Sequence, residues 1–532
     1  MKTQILSTLL LLTLCGCAPK ISEHFEQNRY VRNYSLHIVN ADLQLYFKSP
    51  ADITYTTDKK ELQEIIRQQP FKLKDPVLVY GKTDDPPYDV FVTVSQNKAH
   101  QYPQDLIVFD TLIQKNRLQF IGRPRVTNAR KSLAIDLEQM FKSVELGPGY
   151  RKDISTVMDV VKKHENSNKF YAVLNEIQLF PTYDKQEEWT KFQMELTYAS
   201  FLGNNTEYTK YLKSLESRFK PNEAIVNRIK KHVNATDNAI DSIVSKAKNH
   251  RVVMINENHF LPNHRLLVSD VLEQLRDIGY RYLALEALAS GQDSVLNQNN
   301  SYPTMETGFY TSEQQFANLI RKAKALGYEF VAYENTDPNK NRELGQAENL
   351  YNKTLKLNPD RKVIVLAGID HILEQPTAGG KKWMATQFKN LYNIDPLTIS
   401  QTHLNSYRTL SNTDYSLIPS GHFENERLHA VDYLMLNNKR IDPSNELGTF
   451  PYQNTTASTI QVALFYEHEI LNNYDYHKKV PYFTTLLKAG DTYSLSVSKT
   501  GKSYLYTFDK TGERLDKRLI DRDGSEIKDL CF

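Results

Sequence analysis

The sequence predicts an α/β fold in which a central parallel sheet carries helices on both faces. Three observations support this prediction. From about residue 236, short apolar runs alternate with amphipathic segments of helical period, as in βαβ units. The preceding region has helical periodicity throughout, and the chain has shorter alternating runs near both ends that favour β-structure. The length of 532 residues agrees with about three domains of ordinary size.

The N-terminus predicts export. A basic start and the apolar stretch Ile5–Leu14 are followed by LCGC, which ends at Cys17. The apolar stretch is too short to span a bilayer and is typical of a signal peptide, residues 1–16. The small residue before Cys17 resembles the lipobox of bacterial lipoproteins, which implies cleavage there and lipid on Cys17; the alternative is an ordinary signal peptide with a chance cysteine. We therefore expect a bacterial envelope protein, extracytoplasmic and lipid-anchored in the inner or outer membrane, with 17–34 as a tether.

Charge and cysteine content exclude several classes of function. The chain has 66 basic and 63 acidic residues, and this balance gives no support for a nucleic-acid partner, which needs a concentrated basic face. Of the three cysteines, Cys15 leaves with the signal peptide and Cys17 carries lipid, so Cys531 remains alone. An internal disulfide and a cysteine-based site are therefore not expected. The expected partners are the membrane, through Cys17, and an unidentified small-molecule or peptide substrate.

Four regions follow the tether. Residues 35–129 hold runs such as DVFVTV between Pro-rich breaks and predict a β-rich or mixed domain. Residues 130–235 predict a helical region, and 236–455 predict the α/β domain. Residues 456–532 hold strand-like runs between turn signals such as KTGK and predict a small β domain.

Within the α/β domain, strands and helices alternate regularly. The predicted strands are, in order, RVVMIN, RYLALE, EFVAYE, KVIVLAG and PLTISQ. The helices between them include SEQQFANLIRKAKALG, for which Ser312 is the expected N-cap. Short apolar strands with helical connections predict a parallel sheet that is covered on both faces.

Ionisable or amide side chains follow each of these strands. In chain order they are Glu257 and His259, Glu286, Glu334, Asp370 and His371, and Gln401. Ligands of open α/β sheets bind at the carboxyl ends of the strands, so we expect these side chains to line one site. A single acid at a strand end is more typical of a helix N-cap, and the coincidence over five strands is what indicates a site.

Two chemistries suit such a set. His259, His371 and Glu286 could hold Zn²⁺ or a similar ion and leave an open position for water. Alternatively, a pair such as Glu257 and His259 could act as a general base without metal, the carboxylate fixing the imidazole tautomer. The sequence leaves both open.

Two further side chains are candidates for the same edge. Arg342 opens the helix RELGQAENL and could clamp a substrate carboxylate or phosphate, or pair with Glu334. His264 follows Pro262 near a helix start and would point into the site if Asn263 caps that helix; otherwise it is an exposed first-turn residue. We predict His264 and Glu334 as residues that contact a cofactor.

The strings INENH, YLALE and RELGQAEN, with the GxxH that ends at His371, carry a family resemblance. Residues 236–405 resemble the superfamily that joins ChaN-like haem-binding lipoproteins, erythromycin esterases and Tiki/TraB-type metallopeptidases, and are similar to uncharacterised Bacteroidetes-type lipoproteins. The spacing of Glu257 and His259 is similar to the ChaN-like branch. The resemblance implies a ChaN/Tiki-like sheet. It departs at Asn256, where members usually carry Gly.

The first of three functions that fit is an extracytoplasmic hydrolase of an ester or amide. In this function, Glu257 and His259 form a general base with its orienting carboxylate, or they are metal ligands. Glu286 and His371 are further ligands or orienting groups. Arg342 binds the substrate.

The second function is a haem- or iron-binding lipoprotein, with an axial ligand from His259, His264 or Tyr310. The third is a non-catalytic surface binding protein. Superfamily membership does not choose between them, because its members span hydrolysis and haem binding.

Overall fold

The computed structural model describes, by number, residues 22–24, 36–40, 45–50, 53–56, 59–84, 86–95, 100–113, 116–146, 156–180, 185–203, 205–233, 238–425, 427–441, 447–470, 475–498 and 500–527. The predicted signal peptide, Cys17 and Cys531 lie outside these residues. Within the described ranges, no helix is both long enough and apolar enough to cross a bilayer.

The described residues form two compact units. One holds the residues up to Val160 with Gln178–Lys191, and the other holds Val161–Ile177 with the residues from Phe192 onwards. The elements of the first unit up to residue 146 are β1 (Ser22–His24), β2 (Leu36–Asn40), β3 (Leu45–Ser49), β4 (Thr54–Thr56), α1 (Lys59–Arg67), β5 (Val77–Asp84), β6 (Pro87–Ser95), β7 (Ile107–Ile113), β8 (Asn116–Pro124), α2 (Arg130–Lys142) and β9 (Glu145–Leu146). They build a four-stranded sheet, β1-β2-β3-β9, and a five-stranded sheet, β4-β5-β6-β8-β7, both antiparallel.

Helices follow in the region for which the sequence predicts them. They are α3 (Val157–Lys163), α4 (Phe170–Leu179), α5 (Lys185–Phe201), α6 (Thr206–Glu216), α7 (Glu223–His232) and α8 (Ala239–Ala247). Asparagine side chains cap α6, α7 and α8 by accepting backbone N–H bonds, which satisfies donors that a helix start leaves open.

A seven-stranded sheet forms the centre of the second unit. Its strands are β10 (Val252–Glu257), β11 (Tyr280–Leu285), β12 (Glu329–Ala332), β13 (Lys362–Gly368), β14 (Leu397–Ser400), β15 (Tyr415–Pro419) and β16 (Tyr433–Asn437). They lie in the order β12-β11-β13-β10-β14-β16-β15, and every neighbouring pair is parallel except β15 with β16. The sheet is therefore mixed, because of an antiparallel edge strand that the sequence prediction did not include.

Helices connect these strands. They are α9 (Asn263–Asp277), α10 (Gln292–Leu296), α11 (Gln314–Ala325), α12 (Arg342–Lys353) and α13 (Met384–Tyr392). The cap predicted for α11 is wrong by one residue, since the Glu313 side chain, not Ser312, accepts the N–H groups of Gln315 and Phe316. The cap considered for α9 is also displaced, because Asn263 is already the first helical residue.

Alternate residues of the strands belong to two separate apolar clusters, as a period of two requires. Val253 and Ile255 of β10 belong to one cluster, which also holds side chains of α8, α9 and α11. Val252 and Met254 belong to the other, with side chains of α7, α12 and α13. Because residues on both faces of the sheet are buried, the strand sequences are continuously apolar and do not alternate between apolar and polar residues.

The C-terminal part of the second unit is all-β apart from single turns of 3₁₀ helix. Its strands are β17 (Leu447–Gln453), β18 (Ile460–Tyr466), β19 (Phe483–Leu487), β20 (Thr492–Ser498), β21 (Ser503–Phe508), β22 (Arg514–Ile520) and β23 (Glu526–Ile527). β17 pairs with β20, and the others form a five-stranded sheet in the order β19-β18-β21-β22-β23. The prediction of an α/β chain with a β-rich C-terminal region is confirmed in this coarse form.

Candidate functional site

Strand register brings the predicted residues to one edge of the central sheet. Glu257, the last residue of β10, lies opposite Gly368, the last residue of β13. Glu286 directly follows β11, and its main-chain N–H donates to the carbonyl of Leu366 on β13. Because β10, β11 and β13 are parallel neighbours, their carboxyl ends present these side chains side by side.

The first pair at this edge is Glu257 with His259. The carboxylate of Glu257 is buried, and its Oε1 lies 2.9 Å from Nδ1 of His259. An ionised carboxylate only accepts hydrogen bonds, so Nδ1 carries the proton and Nε2 carries the lone pair. The His259 side chain is 27% exposed, and its ring stacks on Tyr310 with centroids 4.0 Å apart. The imidazole is thus held in one tautomer with its basic nitrogen available.

A buried arginine keeps Glu257 ionised. Arg265 Nε donates to Glu257 Oε2 at 2.7 Å, and Arg265 Nη2 donates to the carbonyl of His259 at 2.6 Å. Burial alone would raise the pKa of Glu257, but Arg265 and His259 outweigh it and lower that pKa to about 2. Arg265 Nη1 also donates to Glu313 Oε2 at 2.9 Å, while burial raises the pKa of Glu313 despite this contact.

Gly368 has no side chain and so leaves a small space beside the side chains of His259 and Glu286. A Cβ there would stand 3.1 Å from Glu286 Oε2 and 3.3 Å from His259 Nε2. The Gly368 N–H donates to the same Glu286 oxygen at 2.5 Å. Both His259 Nε2 and Glu286 therefore border the small space above Gly368.

The second pair is Glu343 with His371. Glu343 Oε2 lies 2.7 Å from His371 Nδ1 and also accepts the N–H of Met384 at 3.1 Å. His371 Nε2 lies 3.3 Å from Glu286 Oε1. The ring packs edge-on against Trp383, with centroids 5.4 Å apart. Two carboxylate-held imidazoles thus border the same glutamate, Glu286.

Arg342 lies at the start of α12 and bridges the acids of this edge. Its Nη2 lies 2.7 Å from Glu286 Oε1, and its Nε lies 2.9 Å from Glu334 Oε1. Its Nη1 lies 3.2 Å from His371 Nε2. Hydrogen bonds to Glu334 raise the pKa of Arg342, and the guanidinium in turn helps to lower the pKa of Glu334 against burial. Of the two roles predicted for Arg342, the pairing with Glu334 is present.

The donor arrangement does not fit a resident metal ion. In the described part of the chain, no group of three or more His, Cys, Asp or Glu side chains is arranged to hold one. Oε1 of Glu286 and Nε2 of His371, which a cation would need as ligands, instead contact the guanidinium of Arg342, and Oε2 of Glu286 accepts the Gly368 N–H. The predicted zinc ligands His259, His371 and Glu286 lie at one edge, but a protein cation occupies the position between two of them.

His264 lies inside the protein. Its Nδ1 accepts the N–H of Asn258 at 3.0 Å, and its Nε2 lies 3.3 Å from Asn405 Oδ1. Burial lowers its pKa to about 4, so the ring is neutral near pH 7. Both ring nitrogens are used within the chain, an arrangement that favours a role in fixing the loop after β10 over a contact with haem.

Two buried polar side chains at the edge, Asn256 and Gln401, use their amides to hydrogen-bond main-chain groups of neighbouring segments. Asn256 is buried; its Nδ2 donates to the carbonyl of Ile369 at 2.6 Å, and its Oδ1 accepts the N–H of Gln401 at 2.7 Å. Gln401 is also buried, and it donates to the carbonyls of Asn256 and His264. The amide of Asn256 thus ties β10 to the loops after β13 and β14.

Sequence reasoning missed Arg265, Glu313 and Glu343. Glu343 follows Arg342 in the first turn of α12, where an acid is ordinarily explained by the helix dipole. Arg265 follows His264 near the start of α9, and its two carboxylate partners lie 8 and 48 residues away along the chain. A local pattern offers no signal for such contacts.

No family model and no curated protein matches the sequence. Among solved structures, the chain is similar to the type III effector HopBA1, with 12% identity, a TM-score of 0.27, and coverage of 37% of this chain and 92% of that chain. It is also similar to RRSP, a MARTX toxin effector domain from Vibrio vulnificus CMCP6, with 14% identity, a TM-score of 0.23, and coverage of 48% and 56%.

A third similar structure is the C-terminal region of Pasteurella multocida toxin, with 10% identity, a TM-score of 0.24, and coverage of 75% of this chain and 60% of that chain. The chain thus spans less than two thirds of the two toxin structures. TM-scores this low do not establish a shared architecture, and nothing about function follows from them.

Proposed function

We propose that this protein is a membrane-anchored extracytoplasmic hydrolase that cleaves an ester or amide, with His259 as general base. The observation that carries this proposal is the Glu257–His259 pair. A carboxylate held ionised by Arg265 fixes Nδ1–H, and the opposite nitrogen of a partly exposed ring borders the space above Gly368. Such a pair has the geometry to take a proton from a water molecule.

The chemistry follows from these positions. His259 Nε2 removes a proton from a water molecule as the water oxygen bonds to the acyl carbon of the substrate. The carbonyl oxygen gains negative charge, and we assign its stabilisation to Arg342 at the same edge, whose guanidinium would exchange a contact with Glu286 or Glu334 for this oxygen. The bond from the acyl carbon to the leaving group then breaks, and the leaving oxygen or nitrogen takes the proton from the imidazolium. No metal is needed for any of these steps.

Glu343 and His371 form a second carboxylate-held imidazole. His371 Nε2 lies 3.3 Å from Glu286 Oε1 and 3.2 Å from Arg342 Nη1. We assign it to holding Glu286 and Arg342 in place beside His259.

The finer architecture and the location belong to the same proposal. The parallel neighbours β12, β11, β13, β10, β14 and β16, and the helices in both apolar clusters, support a ChaN/Tiki-like sheet. Lipid attachment at Cys17 is supported by the sequence alone, through LCGC after the apolar stretch.

Hydrolysis of a panel of 4-nitrophenyl esters and 4-nitroanilides by the protein from residue 18 onwards tests the proposal. We expect turnover that His259→Gln lowers about 100-fold or more and Glu257→Gln lowers similarly, because the base or its orienting group is lost. EDTA should leave turnover unchanged, because Arg342 contacts Glu286 and His371 through the atoms that would otherwise bind a metal.

His250→Gln is the matched control. His250 precedes β10 at the opposite end of the same strand, and its Nδ1 lies 3.0 Å from the carbonyl of Lys246. Its replacement should leave turnover unchanged. Turnover that survives His259→Gln, or that EDTA removes, would contradict the proposed role of His259.

A further inference from the structure

Acids and bases at the candidate site differ in exposure. Three acids lie low in the site: Glu286, Glu343 and Asp370 have side chains that are only 6–21% exposed. Each acid is within 4 Å of a basic side chain that is 51–63% exposed. These basic side chains are Arg342, Lys381 and Arg427, in the same order. In these three pairs the base is therefore the outer charge and the acid the inner one, while Glu334, 29% exposed, is the acid of this edge that stays partly open to solvent beside Arg342. We call Arg342, Lys381 and Arg427 the cationic rim.

Each member of the cationic rim approaches His371 itself, its hydrogen-bond partner or the residue before it in the chain. Arg342 Nη1 lies 3.2 Å from His371 Nε2. Lys381 Nζ lies 3.8 Å from Glu343, the residue that bonds His371 Nδ1. Arg427 Nη2 lies 3.0 and 3.1 Å from the two carboxylate oxygens of Asp370, the residue before His371.

Two members of the rim retain donors for a further ligand. Among the described residues, Arg427 uses only Nη2 on Asp370, which leaves Nε and Nη1 without a protein acceptor. The Lys381 ammonium is beyond hydrogen-bond distance of Glu343 and lies 3.2 Å above the Trp383 ring. Guanidinium and ammonium donors of this kind bind carboxylates and phosphates.

We propose that the molecule bound at this site carries an anionic group, a carboxylate or phosphate, which Arg427 and Lys381 bind beside His371. The position of its scissile bond near His259 rests on the proposed hydrolysis, whereas the anion contacts do not. The substrate class is then an ester or amide whose acyl or leaving part bears a negative charge away from the bond that breaks.

Fluorescence of Trp383 provides the test, because this residue is one of two tryptophans and lies directly under Lys381. In a Trp189→Phe background, Trp383 is the sole tryptophan reporter. The protein is titrated at constant ionic strength with glutarate, with inorganic phosphate and with neutral glutaramide. We expect a saturable change with one or both anions, at a Kd on the order of 1 mM, and none with glutaramide.

Variants locate the binding. Arg427→Gln and Lys381→Gln should each weaken anion binding about fivefold or more, since each removes a charge-assisted contact. Arg361→Gln is the matched control, because Arg361 is also a partly exposed arginine paired with a glutamate, Glu329, but lies at the amino ends of β12 and β13. The inference is overturned if neither anion gives a saturable signal, or if both rim variants bind as the parent does.

A substrate pair separates this inference from the hydrolase proposal. Mono(4-nitrophenyl) glutarate and 4-nitrophenyl butyrate differ by the terminal carboxylate, and we expect a preference for the glutarate that the two rim variants abolish through KM. Hydrolysis without anion binding or preference would overturn the inference alone. Anion binding that persists in His259→Gln, with no hydrolysis by any form, would overturn the hydrolase proposal and leave the anion site standing.

Discussion

The buried arginine Arg265 provides the most demanding prediction. Its guanidinium is fully buried and bonds Glu257 at 2.7 Å, Glu313 at 2.9 Å and the carbonyl of His259 at 2.6 Å. Arg265→Met keeps much of the side-chain volume but leaves two carboxylates buried without their cation. Breaking a buried ion pair from one side is strongly destabilising, by about 3–5 kcal/mol.

The pKa of Glu257 gives a second route to the magnitude. Lowering it from 4.5 to about 2 corresponds to about 3 kcal/mol of stability, at roughly 1.36 kcal/mol per pH unit. Because the folded pKa is depressed, this contribution is present above pH 4.5 and is lost as the pH falls toward 2. Glu313 opposes it with a raised pKa, and its contribution is lost as the pH rises.

Without Arg265, the pKa shift of Glu257 on folding should change direction, and so should the pH dependence of its contribution to stability. Burial would then raise the pKa of Glu257 as it already raises that of Glu313, so stability should fall as the pH rises above 4.5. We expect Arg265→Met to cost about 3–5 kcal/mol at pH 7 and clearly less at pH 5. Urea unfolding followed by Trp383 emission in the Trp189→Phe background measures this, since Trp383 reports on the unit that holds the site.

A matched variant removes a comparable pair elsewhere in the unit. Arg321 Nε and Nη2 each lie 2.8 Å from Glu469, and Arg321→Met should also destabilise the protein while leaving turnover intact. Arg265→Met should additionally abolish turnover, because Glu257 and the His259 main chain lose their common donor. A cost below about 1 kcal/mol, or one equal at pH 5 and pH 7, would refute this account of the buried charges.

Three further predictions concern neighbouring residues. Gly368→Ala should lower kcat about tenfold with little change in the melting midpoint, because its Cβ would press on Glu286 and His259; unchanged kcat would show that the space above residue 368 is not used. Tyr310→Ala should lower turnover several-fold and Tyr310→Phe much less, since the ring stacked on His259 is what matters; equal effects would contradict this. Asn256→Gly should destabilise the protein by about 2–4 kcal/mol in urea unfolding, because buried partners lose their hydrogen bonds; a variant as stable as the parent would contradict it.

Much of the central sheet could be predicted from local pattern. Apolar runs of strand length between helical segments mark β10 to β14, and parallel neighbours necessarily share a carboxyl edge. That rule alone places Glu257, Glu286, Glu334 and His371 together. Neither β15 nor β16 was among the predicted strands, and the antiparallel direction of β15 depends on its pairing with β16, which a local pattern does not show.

Contacts across the fold account for what the sequence did not predict. Glu313 caps α11 and also meets Arg265, and these two demands on one carboxylate explain why it, rather than Ser312, occupies the cap. Gln401 follows its strand like the acids of the other strands, but its amide is consumed by main-chain carbonyls inside the protein. Residue type and spacing do not distinguish an exposed side chain at the site from a buried one that hydrogen-bonds two loops.

Two arginines compensate the buried and partly buried acids of this edge. Arg265 acts from inside, where its charge keeps Glu257 ionised and so fixes the proton of His259 on Nδ1. Arg342 acts from outside, where its guanidinium contacts and neutralises Glu286 and Glu334. With both in place the carboxylates are compensated by protein charge, and this compensation is what the proposed hydrolysis requires of them. In that proposal Arg265 sets the tautomer of the base and Arg342 balances the acids beside it, so the loss of either arginine should affect turnover.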